Sequence, residues 1–154
     1  MLGSRTLGQE VSPELFSSLV KNARFSVREE SDLMKEAILY QYTNHSVLDS
    51  TRSIEKQWLD LVTDSWFNAP AVHMAKALVR GGSHVRLYQF SYRTELTLYP
   101  EILGVVHGEE IPYVFSWPWA NHEGTLEMAS SYNGVERGLS TVMVNLWTIF
   151  AQYG

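Results

Sequence analysis

Two stretches decide how this chain folds: Val85-Arg86-Leu87-Tyr88-Gln89-Phe90-Ser91-Tyr92 and, a little further on, Gly104-Val105-Val106-His107-Gly108-Glu109-Glu110. In the first, Val85, Leu87, Gln89 and Ser91 alternate with Arg86, Tyr88, Phe90 and Tyr92. A period of two, rich in aromatic and branched residues, reads as a β-strand with one mostly apolar or aromatic side. The second is a loop with glycine on both flanks of a histidine. Loops that follow the strands of α/β folds hold their catalytic groups, so His107 is the first candidate functional residue. A single strand leaves its N–H and C=O groups without neighbours, and the rest of the sequence offers no obvious second one. Strand, loop and following helix therefore read as the edge of a larger α/β sheet.

Upstream of the strand the chain reads as helices with short joins. Ser12-Pro13-Glu14 supplies a hydroxyl cap, a proline at the first helical position and an acid in the first turn. Leu15, Phe16, Leu19 and Val20 then form an apolar stripe. A second helix begins near Ser31-Asp32, with Leu33, Ala37 and Ile38 on one face, and Asn44 to Ser53 is polar and turn-like. Ile54, Trp58, Leu61 and Val62 mark a third helix. Pro70 opens a fourth, with Ala71, Met74, Ala75 and Leu78 on one face and Gly81-Gly82 as its stop. Downstream, Pro118 to Gly134 reads as irregular. In the last helix Val135, Leu139, Val142, Met143, Leu146, Ile149, Phe150 and Tyr153 form a wide apolar face. Glu136, Arg137, Ser140 and Asn145 lie off it.

The 154 residues are one domain's length, and 45% hydrophobic with 19% charged side chains is an ordinary globular composition. A net charge of −5 argues against a nucleic-acid partner, whose phosphates demand a basic patch. No apolar run approaches the roughly 18 residues of a membrane span. The absence of cysteine excludes disulfides, thiolate metal sites and cysteine nucleophiles within this chain.

Five histidines are present, of which His45 and His122 fall in polar turns, His73 lies on the fourth helix and His84 opens the strand. Only His107 has a catalytic setting. A metal ion held by His107 with Glu109 or Glu110 would need a distant third ligand, and no metal-binding spacing supports one, so neither metal nor cofactor is expected. A serine hydrolase needs a nucleophile in a Gly-x-Ser-x-Gly elbow; neither Gly81-Gly82-Ser83 nor Gly138-Leu139-Ser140 has that pattern. In α/β-hydrolases the triad runs serine, acid, histidine along the chain, so a late histidine standing alone is what a C-terminal part of one would retain.

At this point the chain resembles a known family. The run Tyr99-Pro100-Glu101-Ile102-Leu103-Gly104-Val105-Val106-His107-Gly108-Glu109-Glu110-Ile111-Pro112-Tyr113-Val114-Phe115 is similar to the histidine loop of type B carboxylesterases, the cholinesterase-like branch of the α/β-hydrolases. Thr63-Asp64-Ser65-Trp66-Phe67-Asn68-Ala69-Pro70, the strand Val85 to Arg93 and the helix Leu139 to Gly154 resemble family segments in the same order. The clear likeness covers about Trp58 to Gly154.

The resemblance implies a partial α/β-hydrolase: late helices, one sheet strand, the histidine loop and the helix after it. It implies that residues 1–154 are one partial domain, the C-terminal part of a type B carboxylesterase domain. His107 then stands where the family's general base stands, Glu110 matches a carboxylate that supports the loop, and Asp64 an acid with a supporting role. The nucleophile, the oxyanion-hole segment and the triad acid have no counterpart here; Glu10 in Leu7-Gly8-Gln9-Glu10 does not match the acid's Glu-Gly run. The implied parent is a serine ester hydrolase acting on carboxylic esters, with the 154 residues inactive alone. The alternative is a neuroligin-like adhesion protein of the same fold, without the reactive serine, whose partner is a protein ligand at a cell surface. The segments Leu61 to Asp64, Ala69 to Val72 and Glu110 to Phe115 resemble that branch too, whereas the cysteines that many neuroligins carry near Ser91 to Arg93 and Pro118 to Asn133 are missing. Either parent implies secretion or display at the cell surface, where Asn44-His45-Ser46 becomes a glycosylation candidate at Asn44. Alone, the chain is expected to aggregate or stay molten, because the strand's edges are open.

Overall fold

The computed structural model describes residues 12–23, 31–43, 51–120 and 126–154. The chain divides into two compact units, Met1–Lys76 and Ala77–Gly154.

In the first unit, helix α1 (Pro13–Asn22) starts where Ser12 Oγ accepts the Leu15 N–H at 3.2 Å. Pro13 takes a position whose N–H would have no helical partner, so the missing donor costs nothing there. Helix α2 (Asp32–Tyr42) uses the same device, with Ser31 Oγ accepting from Met34 N–H at 3.2 Å. Helix α3 (Thr51–Thr63) begins within the segment that reads as turn-like in sequence. Phe16 and Val20 of α1 meet Ile54 and Leu61 of α3 in a small core, bordered by Leu15, Ile38, Leu39, Tyr42 and Trp58. Phe16 and Trp58 pack edge to face with centroids 6.5 Å apart. The inward face of α2 differs from the expected one. Leu33 is 76% exposed and Ala37 is also outside, because Ile38, Leu39 and Tyr42 bring more apolar surface to that core.

Helix α3 runs into a wider π-turn (Asp64–Asn68) and then helix α4 (Ala69–Arg80), with helical backbone at both joins. Pro70 therefore does not start a separate helix. At the turn the Ala69 N–H reaches back to Asp64 O, one residue further than an α-helix would. Proline has no N–H for the next rung, and a widened turn just before it is how a helix passes such a gap. The stop is where sequence indicates: Gly81, Gly82 and Ser83 N–H groups bond Ala77, Val79 and Leu78 carbonyls, with Gly82 at φ +84°. Of the apolar face on α4, Ala75 is half-buried and Met74 and Leu78 are exposed.

In the second unit, residues 83–93 carry no helix, and no β-ladder occurs among the described residues. The expected sheet strand Val85 to Tyr92 thus has no paired neighbour here, which a ladder requires. Its period of two is nonetheless used. Tyr88 packs against Trp147 at 6.1 Å, and Phe90 and Tyr92 pack against Tyr113 at 5.3 and 6.0 Å. Short helices follow: a 3₁₀ turn (Glu101–Leu103), α5 (Ile111–Val114), a second 3₁₀ turn (Trp117–Trp119) and α6 (Leu126–Ser131), so the span from Pro118 to Gly134 is more regular than its sequence suggests. Helix α7 (Gly134–Tyr153) closes the unit.

The buried side of α7 is the reverse of the periodic reading. Glu136, Ser140 and Met143 are buried, while Val135, Val142, Leu146, Ile149 and Phe150 are exposed. Hydrogen-bond partners on distant segments draw the two polar residues inward, and hydrophobic periodicity does not register them. The outer apolar residues edge a groove of about 410 Å³, lined by Arg86, Tyr88, Leu146, Trp147 and Phe150.

Candidate functional site

The histidine loop is built by its neighbours rather than by its own sequence. Gly104 lies at φ +63°, ψ −130°, a conformation closed to residues with a side chain. Its carbonyl accepts from Arg93 Nη1, while Arg93 Nη2 donates to Tyr99 O at 2.7 Å. One guanidinium thus bridges the carbonyls on either side of the 3₁₀ turn, a two-pronged geometry that lysine lacks. The next support is Glu109. Its Oε2 accepts the Val106 N–H at 3.3 Å and its Oε1 the Thr97 hydroxyl at 2.6 Å. The backbone returns at once through Glu109 N–H to Val106 O and Ile111 N–H to Gly108 O. Between these bonds the His107 side chain is exposed. A fixed backbone under a solvent-facing imidazole suits a group that must exchange protons with a reactant.

The other sequence candidates fall in different places. Glu110 occupies the turn into α5, where its carbonyl accepts from Tyr113 N–H at 3.0 Å and Val114 N–H at 3.1 Å. Its side chain makes no capping bond, and the carboxylate seen to hold the loop is that of Glu109. Asp64 belongs to the first unit. Its Oδ2 accepts the Tyr42 hydroxyl and its Oδ1 the Asn68 amide, both at 2.7 Å. Burial, then this bond to Asp64, pushes the Tyr42 phenol up to about 12. The glycosylation candidate Asn44 lies outside the described residues. Among the described residues no cluster of three or more His, Asp or Glu could hold a metal ion, and no helix is long and apolar enough to cross a membrane.

Glu136 is the residue that sequence reading set aside. It is 1% exposed and accepts from the Thr94 hydroxyl and, at 3.2 Å, the Tyr113 hydroxyl on Oε1, and from Asn133 N–H at 2.9 Å on Oε2. Asn133 Oδ1 accepts the Glu136 N–H in return, completing a capping box at the start of α7. The spacing Asn133-x-x-Glu136 is legible as a helix start; its inward direction is not. Ser140, one turn on, donates to Tyr113 O at 2.9 Å. Burial and the nearby Glu136 charge push the hydroxyls of Tyr113 and Tyr132 upward, so both stay protonated donors across the neutral range. Trp117-Pro118-Trp119 docks on the same helix: Arg137 lies over the Trp119 ring at 5.9 Å, donates to Pro118 O, and accepts the indole N–H on its own carbonyl.

With this geometry in hand, comparison with known proteins is specific. The profile described as the Carboxylesterase family matches residues 3–154. The chain is 31% identical over 152 residues to an acetylcholinesterase of Leptinotarsa decemlineata, covering 99% of this chain and 22% of that protein. It is 30% identical over 138 residues to an acetylcholinesterase of Bungarus fasciatus, with 90% and 22% covered. It is 33% identical over 138 residues to neuroligin-2 of Homo sapiens, with 90% and 16% covered. The chain therefore spans about a fifth of the length of the curated relatives it matches.

Proposed function

Because the chain belongs to the carboxylesterase family, whose members take the α/β-hydrolase fold, we propose that it is the part of a serine ester hydrolase that carries the general base. The substrate is a carboxylic ester. His107 takes the proton of a serine hydroxyl as that oxygen attacks the ester carbonyl, then returns it to the departing alcohol, leaving an acyl-enzyme. The same imidazole then activates the water that releases the acid. The serine, its oxyanion hole and the triad acid come from other parts of the longer protein. There residues 1–154 form one partial domain at the C-terminal side, and Val85 to Tyr92 joins the sheet as a strand. Glu110 leads out of the loop and Asp64 braces Tyr42 and Asn68; neither reacts. The observation that carries this reading is an exposed histidine whose backbone is clamped on both sides by Arg93 and Glu109.

The test uses the full-length protein with a fluorophosphonate probe and p-nitrophenyl acetate. His107→Gln is expected to slow both labelling and turnover by at least about a hundredfold, the contribution of a general base. Labelling of His107→Gln at the wild-type rate would overturn the assignment. Residues 1–154 alone lack nucleophile and oxyanion donors and are expected to hydrolyse esters no faster than free imidazole.

The identity of 33% with neuroligin-2 favours a second reading, an adhesion protein of the same fold that binds a protein ligand and has no reactive serine. The same probe separates the two. A well-folded full-length protein that takes no label and turns over no ester belongs to the adhesion branch.

A further inference from the structure

We propose that Glu136 is a positioning residue for His107: its buried carboxylate ties the two ends of the segment Thr94–Tyr113 together, and with them the loop that carries the imidazole. The inference rests on the assignment of His107 as general base. A helix cap needs only one carboxylate oxygen, and Oε2 does that work by accepting the Asn133 N–H. The other oxygen faces inward and accepts two hydroxyls, one from each end of the segment. No cation offsets the charge in the listed-out shell of donors: hydroxyls and one backbone N–H meet it. A carboxylate buried on such terms is expensive unless its bonds are all made, so the three donors have to stay where they are.

Each end leads to the loop by a short path. Thr94 adjoins Arg93, whose guanidinium holds Gly104 O and Tyr99 O. Thr94 Oγ1 also accepts the Leu96 N–H at 3.1 Å, which fixes the turn entering the segment. On the far side Tyr113 is held twice by α7, through its hydroxyl on Glu136 and its carbonyl on Ser140. From Tyr113 the hydrogen-bonded turn of α5 runs back to Glu110 and Gly108, next to His107. Without the tie, the segment is closed only by Arg93 and Glu109 at the surface, and its added freedom must be lost again each time the imidazole is aligned.

The experiment compares Thr94→Val with Thr94→Ser in the full-length protein. Valine removes the hydroxyl at nearly the same size and leaves the Asn133–Glu136 box intact; serine keeps the hydroxyl. Hydrogen exchange over residues 99–110 is expected to rise about tenfold in Thr94→Val and to stay near wild type in Thr94→Ser, with residues 142–150 of α7 unchanged. Ester turnover should follow the same pattern, with kcat lowered in the valine variant, KM kept, and kcat rescued by serine. Tyr113→Phe probes the other end and should reproduce the exchange pattern if Thr94→Val fails to fold. Wild-type loop protection in Thr94→Val, or faster exchange spread equally through α7, would overturn the proposal. A wild-type protein without ester turnover removes the general-base reading, while the exchange comparison still decides the tie.

Discussion

Replacing Gly104 with alanine and replacing Gly138 with alanine add the same methyl group, and they should move stability in opposite directions. At neither position would the new Cβ meet any atom within 4 Å, so sterics do not separate them. Backbone geometry does. Gly104 sits at φ +63°, ψ −130°, where an L-residue is strained by about 1–3 kcal/mol. The chain has little means of escape, because the Gly104 carbonyl is held by Arg93 and its N–H by Glu101 O at 2.9 Å. Gly138 lies inside α7 with ordinary helical backbone, and alanine there should stabilise by about 0.5–1 kcal/mol, chiefly by restricting the unfolded chain. The gap between the two variants is then roughly 1.5–4 kcal/mol. Urea unfolding of the full-length protein, with slopes compared to confirm a common transition, measures it directly. Midpoints that shift the same way in both variants, or Gly104→Ala indistinguishable from wild type, would show that the loop does not depend on its left-handed glycine.

Two further outcomes follow from features outside the loop. The Tyr42 phenol, held up to about 12 by burial and Asp64, should ionise after the other tyrosines in an absorbance titration at high pH. A phenol whose folded value lies above its unfolded one, about 10, lends stability that is intact below pH 10 and is lost as pH climbs from about 10 to 12. Tyr42→Phe should flatten that decline, and Tyr42 ionising together with exposed tyrosines would refute it. The 154 residues expressed alone should bind hydrophobic dyes and self-associate, since Val72, Met74 and Leu78 of α4 and Leu146, Ile149 and Phe150 of α7 are exposed. A soluble monomer with a sharp thermal transition would contradict this.

Local signals were the most legible. Ser12-Pro13, Ser31 and Gly81-Gly82 each mark a helix end by hydrogen bonding within a few residues, and the structure uses them there. The aromatic alternation of Tyr88, Phe90 and Tyr92 also survives as packing, although the described residues include no strand to pair with it. Periodicity misled where burial is decided by distant partners. Glu136 and Ser140 are polar, so a hydrophobic pattern assigns them to solvent; Thr94 and Tyr113, far away in sequence, are what make their burial tolerable. Likewise the pair Glu109-Glu110 gives no hint in sequence of which carboxylate bonds the loop. That depends on the local course of the backbone, which turns Glu109 toward Thr97 and Val106.

The π-turn at Asp64–Asn68 sets a rotational phase. One residue more than an α-helical repeat advances everything downstream by about 100° around the helix axis. Deleting a single residue before Pro70 would keep the helix in composition and nearly in length, yet turn Val72, Met74 and Leu78 to another side. The bonds Asp64 makes to Tyr42 and Asn68 act as the index mark from which that angle is counted. A gap of one position here is therefore a change of facing, and variants at this turn are best classed by the direction in which they leave α4 pointing.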